Sequence, residues 1–316
     1  MTKNHDLLFR SKQLGYIAVL VGGDSHEKEI SLMSLDSVTS AMRSLNMSFD
    51  VIDIGTDEVF NIKKKGFSRS LILAHGKNGE DGRIQGLLDL MGIPYSGSGA
   101  LAATQGFNKW ISKLVWKSCG LLVPKGRVVS TYEECKDFFH DMCTRLVLKP
   151  MRGGSTKGVF IIDDESDLRN AYENSKRFDS LLVLEEFITG DEITCGIYDG
   201  DALPVIRIEY PGIVYDFHEK YFGTGTKYHC PSGLADCIDK ECKSITITAA
   251  RALGCHFWGR VDAIVNKGKV YVLEMNIVPG LTKHSLYPML LRAANISFGM
   301  PYYPWTLAPT CIEFPA

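Results

Sequence analysis

With 316 residues, 45% of them hydrophobic and 23% charged, the chain can bury a sizeable core and divide into two or three domains. A formal net charge of -2 gives no broad electrostatic footprint for nucleic acid or anionic lipid, so an anion must be met by a local cluster. The polar stretch up to Lys12 and the short apolar run Tyr16 to Val21, ended by Gly22-Gly23, predict neither a signal peptide nor a membrane span.

The nine cysteines are scattered without the paired spacings of a zinc site, which suits reduced thiols in a cytosol, with Cys237 and Cys242 kept as a minor candidate pair of ligands. Ile17 to Val21 reads as a strand running into a glycine turn, and Ser31 to Leu45 as a helix with Leu32, Leu35, Val38 and Met42 inward. That unit belongs to an open α/β sheet, which binds ligands at the carboxyl ends of its strands and at helix N-termini. G-G-D-S-H-E lacks the G-x-G-x-x-G spacing of a dinucleotide site. On the residues alone, Glu27 and Glu29 are equally helix-start carboxylates favoured by the dipole.

Ser48 to Ile54 and Ser68 to Ala74 follow as strands, the second leading into His75-Gly76-Lys77-Asn78-Gly79-Glu80-Asp81-Gly82 and a helix from Arg83 to Met91. Three glycines in one loop require sharp turns or the close approach of a ligand. His75 is either a substrate-side residue or a buried structural histidine. Ile93 to Gly99 looks like the end of the first domain, and one helix, Ala100 to Cys119, carries Asn108-Lys109. A helix over Tyr132 to Phe139 precedes the strand Leu146 to Leu148, which ends in Lys149-Pro150-Met151-Arg152-Gly153-Gly154-Ser155-Thr156-Lys157-Gly158. A lysine at a strand end followed by a glycine-rich loop is a phosphate clamp in physical terms, although it is not a G-x-x-x-x-G-K-[ST] loop. Lys157 either adds a phosphate contact or points to solvent, and solvent is the expectation.

Leu182 to Ile188 reads as a strand ending in carboxylates, which by themselves are equally surface groups. Ile193 to Ile197 and Ala202 to Ile208 read as paired strands, followed by a polar loop up to Gly233 of the kind that forms lids. After a helix from Asp239 to Leu253, Arg260-Val261-Asp262 and Glu274-Met275-Asn276 sit in strand-like runs joined by the turn Asn266-Lys267-Gly268-Lys269. Period-two alternation points Arg260, Asp262, Glu274 and Asn276 to one face. Two carboxylates and an amide oxygen there make a hard oxygen site of the kind Mg²⁺ accepts while bridging phosphates; a solvated hairpin is the rival reading. Pro279-Gly280-Leu281-Thr282-Lys283-His284-Ser285 and a helix from Leu286 to Ala294 follow, and the proline-rich tail after Gly299 cannot close as a helix.

In this order, the motifs resemble those of the D-alanine–D-alanine ligases of the ATP-grasp superfamily. The shared patterns are G-G-x-S-x-E-x-x-x-S around Glu27, H-G-x-x-G-E-D-G-x-x-Q-G from His75, K-P-x-x-x-G-S-S-x-G from Lys149, then R-x-D, E-x-N and P-G-x-T-x-H-S. The resemblance implies an α/β (α+β ATP-grasp) fold: an N-terminal open parallel α/β domain over 1–98, a central ATP-grasp domain over 99–184 and a C-terminal one over 185–316. It implies ATP-dependent joining of two D-alanine molecules through an acyl phosphate, for peptidoglycan precursor synthesis, with ATP and two Mg²⁺ (or Mn²⁺) ions. It further implies a cytoplasmic homodimer whose partners are small molecules, with no nucleic acid and no membrane.

Carried over residue by residue, Glu27 receives the ammonium group of the first D-alanine, with Ser155 and Tyr221 completing a contact across a closed lid, and His75 lies on the substrate side. Lys109, Lys149 and Ser155 face the phosphates. Glu185, Phe187 and the backbone of Glu186 and Ile188 take the adenine, and Glu192 takes the ribose. Asp262, Glu274 and Asn276 hold the metal, while Arg260 and the Gly280 N–H form an oxyanion hole. Ser285 and Lys220 hold the second carboxylate, Lys220 also serving the nucleotide. Asn108 replaces the family's aspartate, removing a charge that would orient Lys109, and Thr156-Lys157 replace a serine and usually an apolar residue. Tyr221 stands where ester-forming members carry histidine, which implies a dipeptide product. The alternatives are an ATP-grasp ligase for another carboxylate and amine, and a catalytically silent nucleotide-binding protein.

Overall fold

A computed structural model describes residues 14–25, 27–212, 215, 225–282 and 284–296, and in it the chain forms three sheets. Tyr16–Val21 (β1) is buried almost end to end, as a central parallel strand must be, and is flanked by Ser48–Asp53 (β2) and Arg69–Ile72 (β3), both parallel to it. Lys28–Ser44 (α1) turns Ile30, Ser31, Ser34, Val38 and Met42 inward, whereas Leu32 is exposed, so the helix is rotated away from the expected leucine stripe. The rotation brings hydroxyls to two site loops: Ser31 Oγ accepts from the His75 N–H at 2.9 Å, and Ser34 Oγ from the Leu281 N–H at 3.2 Å. Arg83–Met91 (α2) forms as expected.

The single helix expected from Ala100 to Cys119 is two, Ala100–Phe107 (α3) and Lys109–Ser118 (α4). Asn108 between them is extended, and its Oδ1 caps α4 by accepting from Trp110 N and Ile111 N, both at 3.1 Å. Released from the helix, the backbone here bridges to Arg152, and Lys109 N–H donates to Met151 O at 3.0 Å. Asparagine and aspartate cap about equally well, so the departure from the family's aspartate keeps this function. Both helices pack on the third sheet rather than the second, and the fully buried Trp116 donates Nε1–H to Ala249 O at 2.9 Å.

Gly126–Val129 (β4), Leu146–Pro150 (β5), Phe160–Ile162 (β6) and Leu182–Glu186 (β7) make an antiparallel sheet in the order β4-β7-β5-β6. Tyr132–Met142 (α5) and Glu165–Ser175 (α6) cover it, each opened by a capping box, Thr131 with Glu134 and Asp164 with Asp167. Glu185 and Glu186 thus belong to this sheet, and the strand ends before Phe187.

Asp191–Tyr198 (β8), Asp201–Glu209 (β9), Lys227–His229 (β10), Trp258–Asn266 (β11) and Lys269–Asn276 (β12) form the third sheet, in the order β10-β9-β8-β11-β12. Asp236–Ala252 (α7) and Leu286–Ala293 (α8) pack against it. Lys267 and Gly268, both left-handed, make the two-residue turn between β11 and β12. Strict alternation in β12 would put Glu274 on the same side as the buried Val270 and Val272. A bulge at Leu273 changes sides: Asp262 pairs with Glu274, but Ala263 pairs with Val272. Glu274 and Asn276 therefore share the face of Asp262 and Arg260, as expected, while Leu273 and Glu274 both line the cavity described below. Lys220, Tyr221 and the tail from residue 297 lie outside the described residues.

The cap at Asn108 is testable. Asn108→Ala should lower unfolding stability by about 1 kcal/mol and Asn108→Asp should leave it nearly unchanged, measured by urea denaturation. Equal losses in the two variants would show that the amide, not the cap, is what the position needs.

Candidate active site

A cavity of about 500 Å³ opens between the second and third sheets, walled by Lys109, Lys149, Glu185, Glu186, Phe187, Ile188, Glu192, Asp262 and Glu274 among others. The antiparallel registers place these groups: Val147 lies opposite Glu185, so Lys149, two residues along β5, shares its face, and Asp262 lies between Thr194 on β8 and Glu274 on β12. Glu185 is buried between two lysines, ion-paired through Oε1 to Lys149 and through Oε2 to Lys113 at 3.1 Å. Both side chains of the Lys113 contact are buried, so it is a charge pair shielded from water. Burial raises the Glu185 carboxyl, and the two lysines outweigh it, holding the group below its ordinary value. Lys113 itself is pushed down to about 8 by burial, against the pull of Glu185.

Asp262, 8% exposed, accepts from Arg260 Nε and Nη2 at 2.9 Å each, from Thr194 Oγ1 at 2.6 Å and from Asn276 Nδ2 at 2.9 Å. Lys109 Nζ donates to Gly153 O and lies 3.5 Å from Glu274 Oε2. Glu186 uses its side chain on the Lys125 N–H, 2.8 Å, while Arg145 lies over the Phe187 ring, 5.4 Å from its centroid. Lys157, expected in solvent, is half-buried and lines this cavity, where its charge reaches Glu27.

A second cavity of about 500 Å³ lies on the other side of the Gly153-Gly154 loop, and Glu27 lines it. Glu27 Oε1 accepts from the Gly154 N–H at 2.9 Å, and a Cβ at Gly154 would stand 2.9 Å from the same oxygen and push the carboxylate aside. Burial raises the Glu27 carboxyl, with Lys109 and the Gly154 bond opposing. His75 Nδ1 sits 2.7 Å from Leu73 O, which makes it the protonated nitrogen, and buried Nε2 points towards the Gly280 loop. A Cβ at Gly280 would crowd Ser285 Oγ, at 3.0 Å. Ser285 Oγ in turn meets the Thr282 hydroxyl at 2.7 Å and accepts from its N–H at 3.1 Å. Ser155 is left-handed (φ 55°) and is not among the residues lining either cavity.

The pattern of "D-ala D-ala ligase C-terminus" matches residues 116–300, and that of "D-ala D-ala ligase N-terminus" matches 58–98. This chain belongs to the D-alanine–D-alanine ligase family. A D-alanine–D-alanine ligase of Azoarcus sp. (strain BH72) is 40% identical over 288 residues, 91% of this chain and 95% of the relative. The crystal structure of the Bacillus anthracis D-alanine–D-alanine ligase superposes with a TM-score of 0.83 at 32% identity, covering 94% of this chain and 97% of that one. That of the VanG D-Ala:D-Ser ligase from Enterococcus faecalis gives 0.78 at 28% identity, covering 92% and 98%.

Set beside the ligase motifs, the structure adds Lys113, Thr194 and Tyr210 to the site, none of which carries a motif letter. Lys113 was detectable only as a lysine one turn from Lys109, on the helix face that buries Ser112 and Trp116. Among the described residues no group of three His, Cys, Asp or Glu gathers to hold a metal. Asp262, Glu274 and the Asn276 amide, aligned by register, nonetheless fit a hard cation in donor type, and here their charge is met by Arg260 and Lys109. Cys237 is exposed and Cys242 buried with its thiol pushed up to about 12, so the minor ligand pair does not converge. No described helix is long and apolar enough to cross a membrane.

Burial lowers His75 to about 4, with the Leu73 bond opposing and the Arg260 charge assisting. Between the ordinary value of 6.5 and about 4 the unfolded chain binds a proton that the fold excludes, so acidification through this window removes stability. His75→Gln should abolish that part of the acid loss, up to roughly 3 kcal/mol, in urea titrations at neutral pH and near pH 4. Wild-type and variant stabilities that fall in parallel would show that His75 is hydrated.

Proposed function

We propose that this family member joins two D-alanine molecules at the expense of ATP, to supply D-alanyl-D-alanine for peptidoglycan precursors, and that its site residues divide the work as follows. One observation carries the assignment. Gly154 walls both cavities and its N–H holds Glu27, so a phosphate over the loop and an amino acid at Glu27 are neighbours across one residue.

Adenine rests against Glu185, Phe187 and Ile188, ribose against Glu192, and the triphosphate against Lys109, Lys149 and the loop through Ser155. The B. anthracis relative has been crystallised with ATP, at a TM-score of 0.80 and 31% identity. Mg²⁺ or Mn²⁺, as two ions held by Asp262, Glu274 and Asn276, would supply charge neutralisation along the phosphates. Glu27 takes the ammonium of the first D-alanine, whose carboxylate oxygen attacks the γ-phosphorus as the bond to ADP breaks. Lys109 and Lys149 stabilise the charge spread over the moving phosphoryl group. The free amine of the second D-alanine, its carboxylate at Ser285 and Lys220, then attacks the acyl carbon. Its oxyanion faces Arg260, whose plane Asp262 fixes, and the Gly280 N–H. Collapse expels phosphate, the nitrogen loses a proton, and Tyr221 with Ser155 closes the site against hydrolysis. We assign this reaction to a cytoplasmic homodimer with lobes 1–98, 99–184 and 185–316.

With ATP and Mg²⁺, phosphate release should require D-alanine, and the product should be the dipeptide from mildly acidic to mildly alkaline pH. L-alanine supporting equal turnover would sink the substrate assignment, and a D-serine dipeptide or D-lactate ester as main product in competition would sink the assignment of the second site. Glu274→Gln should lower turnover by roughly two orders of magnitude or more while changing stability by less than about 1 kcal/mol. Near-wild-type turnover there would remove Glu274 from the metal site.

A further inference from the structure

Glu192 reaches the cavity from β8 with a tyrosine bonded to it. Glu192 pairs with Ile208 on β9, and the chain beyond β9 brings Tyr210 back over it, so that Tyr210 Oη donates to Glu192 Oε2 at 2.8 Å. Both residues are half-buried and both line the nucleotide cavity. The Tyr210 ring stacks on Tyr215, centroids 5.5 Å apart and planes 23° apart. Tyr215 is held in turn by the Tyr228 hydroxyl at 2.7 Å, and its carbonyl accepts from Thr156 Oγ1 at 3.1 Å. Burial and the Glu192 charge push the Tyr210 phenol well up from its ordinary value, so at neutral pH its hydroxyl stays a donor.

A glutamate has torsions that must be frozen before it can meet a ligand, and ordering them on binding weakens affinity. Here the phenol, immobilised by its own stack, takes one acceptor direction of the carboxylate and sets its plane before any nucleotide arrives. We propose that Tyr210 is a positioning residue for the nucleotide sugar: by anchoring Glu192 it gives the site its preference for ribonucleotides over deoxyribonucleotides. This rests on Glu192 being the ribose carboxylate. Three aromatic rings and the Thr156 bond make the anchor rigid, and they tie it to the same loop that carries Gly154 and Ser155.

The test is Tyr210→Phe, which keeps the stacked ring and deletes only the donor. Initial rates with ATP, 2′-deoxy-ATP and 3′-deoxy-ATP, and calorimetric affinities for ADP and 2′-deoxy-ADP without D-alanine, read the sugar preference twice, once independently of turnover. The wild type should favour ATP over at least one deoxynucleotide by about ten-fold in kcat/KM, a hydrogen bond to a charged group being worth about that much. In Tyr210→Phe the preference should shrink to about two-fold, through a raised KM for ATP with kcat at saturation within about two-fold, and ADP affinity should fall while that for 2′-deoxy-ADP hardly changes. A variant that keeps the wild-type preference in both readouts overturns the proposal. Glu192→Gln separates the two ideas. If it loses the preference and Tyr210→Phe does not, the ribose assignment stands and only the role of Tyr210 fails; if the wild type shows no preference at all, both fall.

Discussion

Lys113 and Glu185 bear opposite charges where water scarcely reaches, each only about 2% exposed in its side chain, and Glu185, which also holds Lys149, is the partner that lets Lys113 carry its charge there. They are carried by different sheets: α4, which carries Lys113, packs on the third sheet, and Glu185 belongs to the second. Satisfying that pair fixes how the two sheets approach, and the nucleotide cavity is the space left between them. Lys109, one turn earlier on the same helix face, repeats the arrangement with the Gly153 carbonyl and Glu274. A short helix thus acts as a charged strut. Removing Glu185 would leave Lys113 uncompensated, whereas removing Lys113 would leave Glu185 with Lys149 as its partner.

Much of this was legible in the sequence, because long strands with period-two burial and a two-residue left-handed turn leave strong signals. The β11–β12 hairpin, the helix from Arg83 to Met91 and the strand-end lysines emerge where expected. The break at Asn108 was not legible: Gly106 just before it stays helical, and the chain leaves the helix at Asn108 because the backbone there and at Lys109 finds Arg152 and Met151 far along the chain. The bulge at Leu273 depends on pairing, not on composition; strict alternation from the turn would turn Glu274 to the opposite face, and only the bulge brings it beside Asp262. The rotation of α1 has a similar origin, since Ser31 and Ser34 are turned inward by loops that approach from elsewhere. Lys113 and Tyr210 act through partners on other elements, so no local pattern announces them.

The loop that joins the two cavities holds its shape against its own preferences. Ser155 and Thr156 are both left-handed, and for a β-branched threonine that conformation is costly. The hydroxyl bond from Thr156 to the Tyr215 carbonyl offsets part of the cost, as the Gly154 bond to Glu27 does on the other side. Threonine in place of the family's serine keeps that hydroxyl while narrowing its rotamers, so the substitution preserves the donor that the strained backbone needs.

The same loop sets the charge state of the substrate side. In its proposed role Glu27 must be anionic, yet burial raises its carboxyl; Lys109, the Gly154 N–H and Lys157 pull it back. Glu80, bonded to the Gly76 N–H at 2.6 Å, is raised further by loss of hydration and by Glu27 itself. Two carboxylates sharing a pocket resist ionising together, so each raises the other. Of the cations that lower Glu27, Lys109 and Lys157 also line the nucleotide cavity, so the charge of Glu27 is tied to what that cavity holds. A triphosphate there would draw on those cations and loosen their hold, and the incoming ammonium would replace them as the partner that keeps Glu27 ionised.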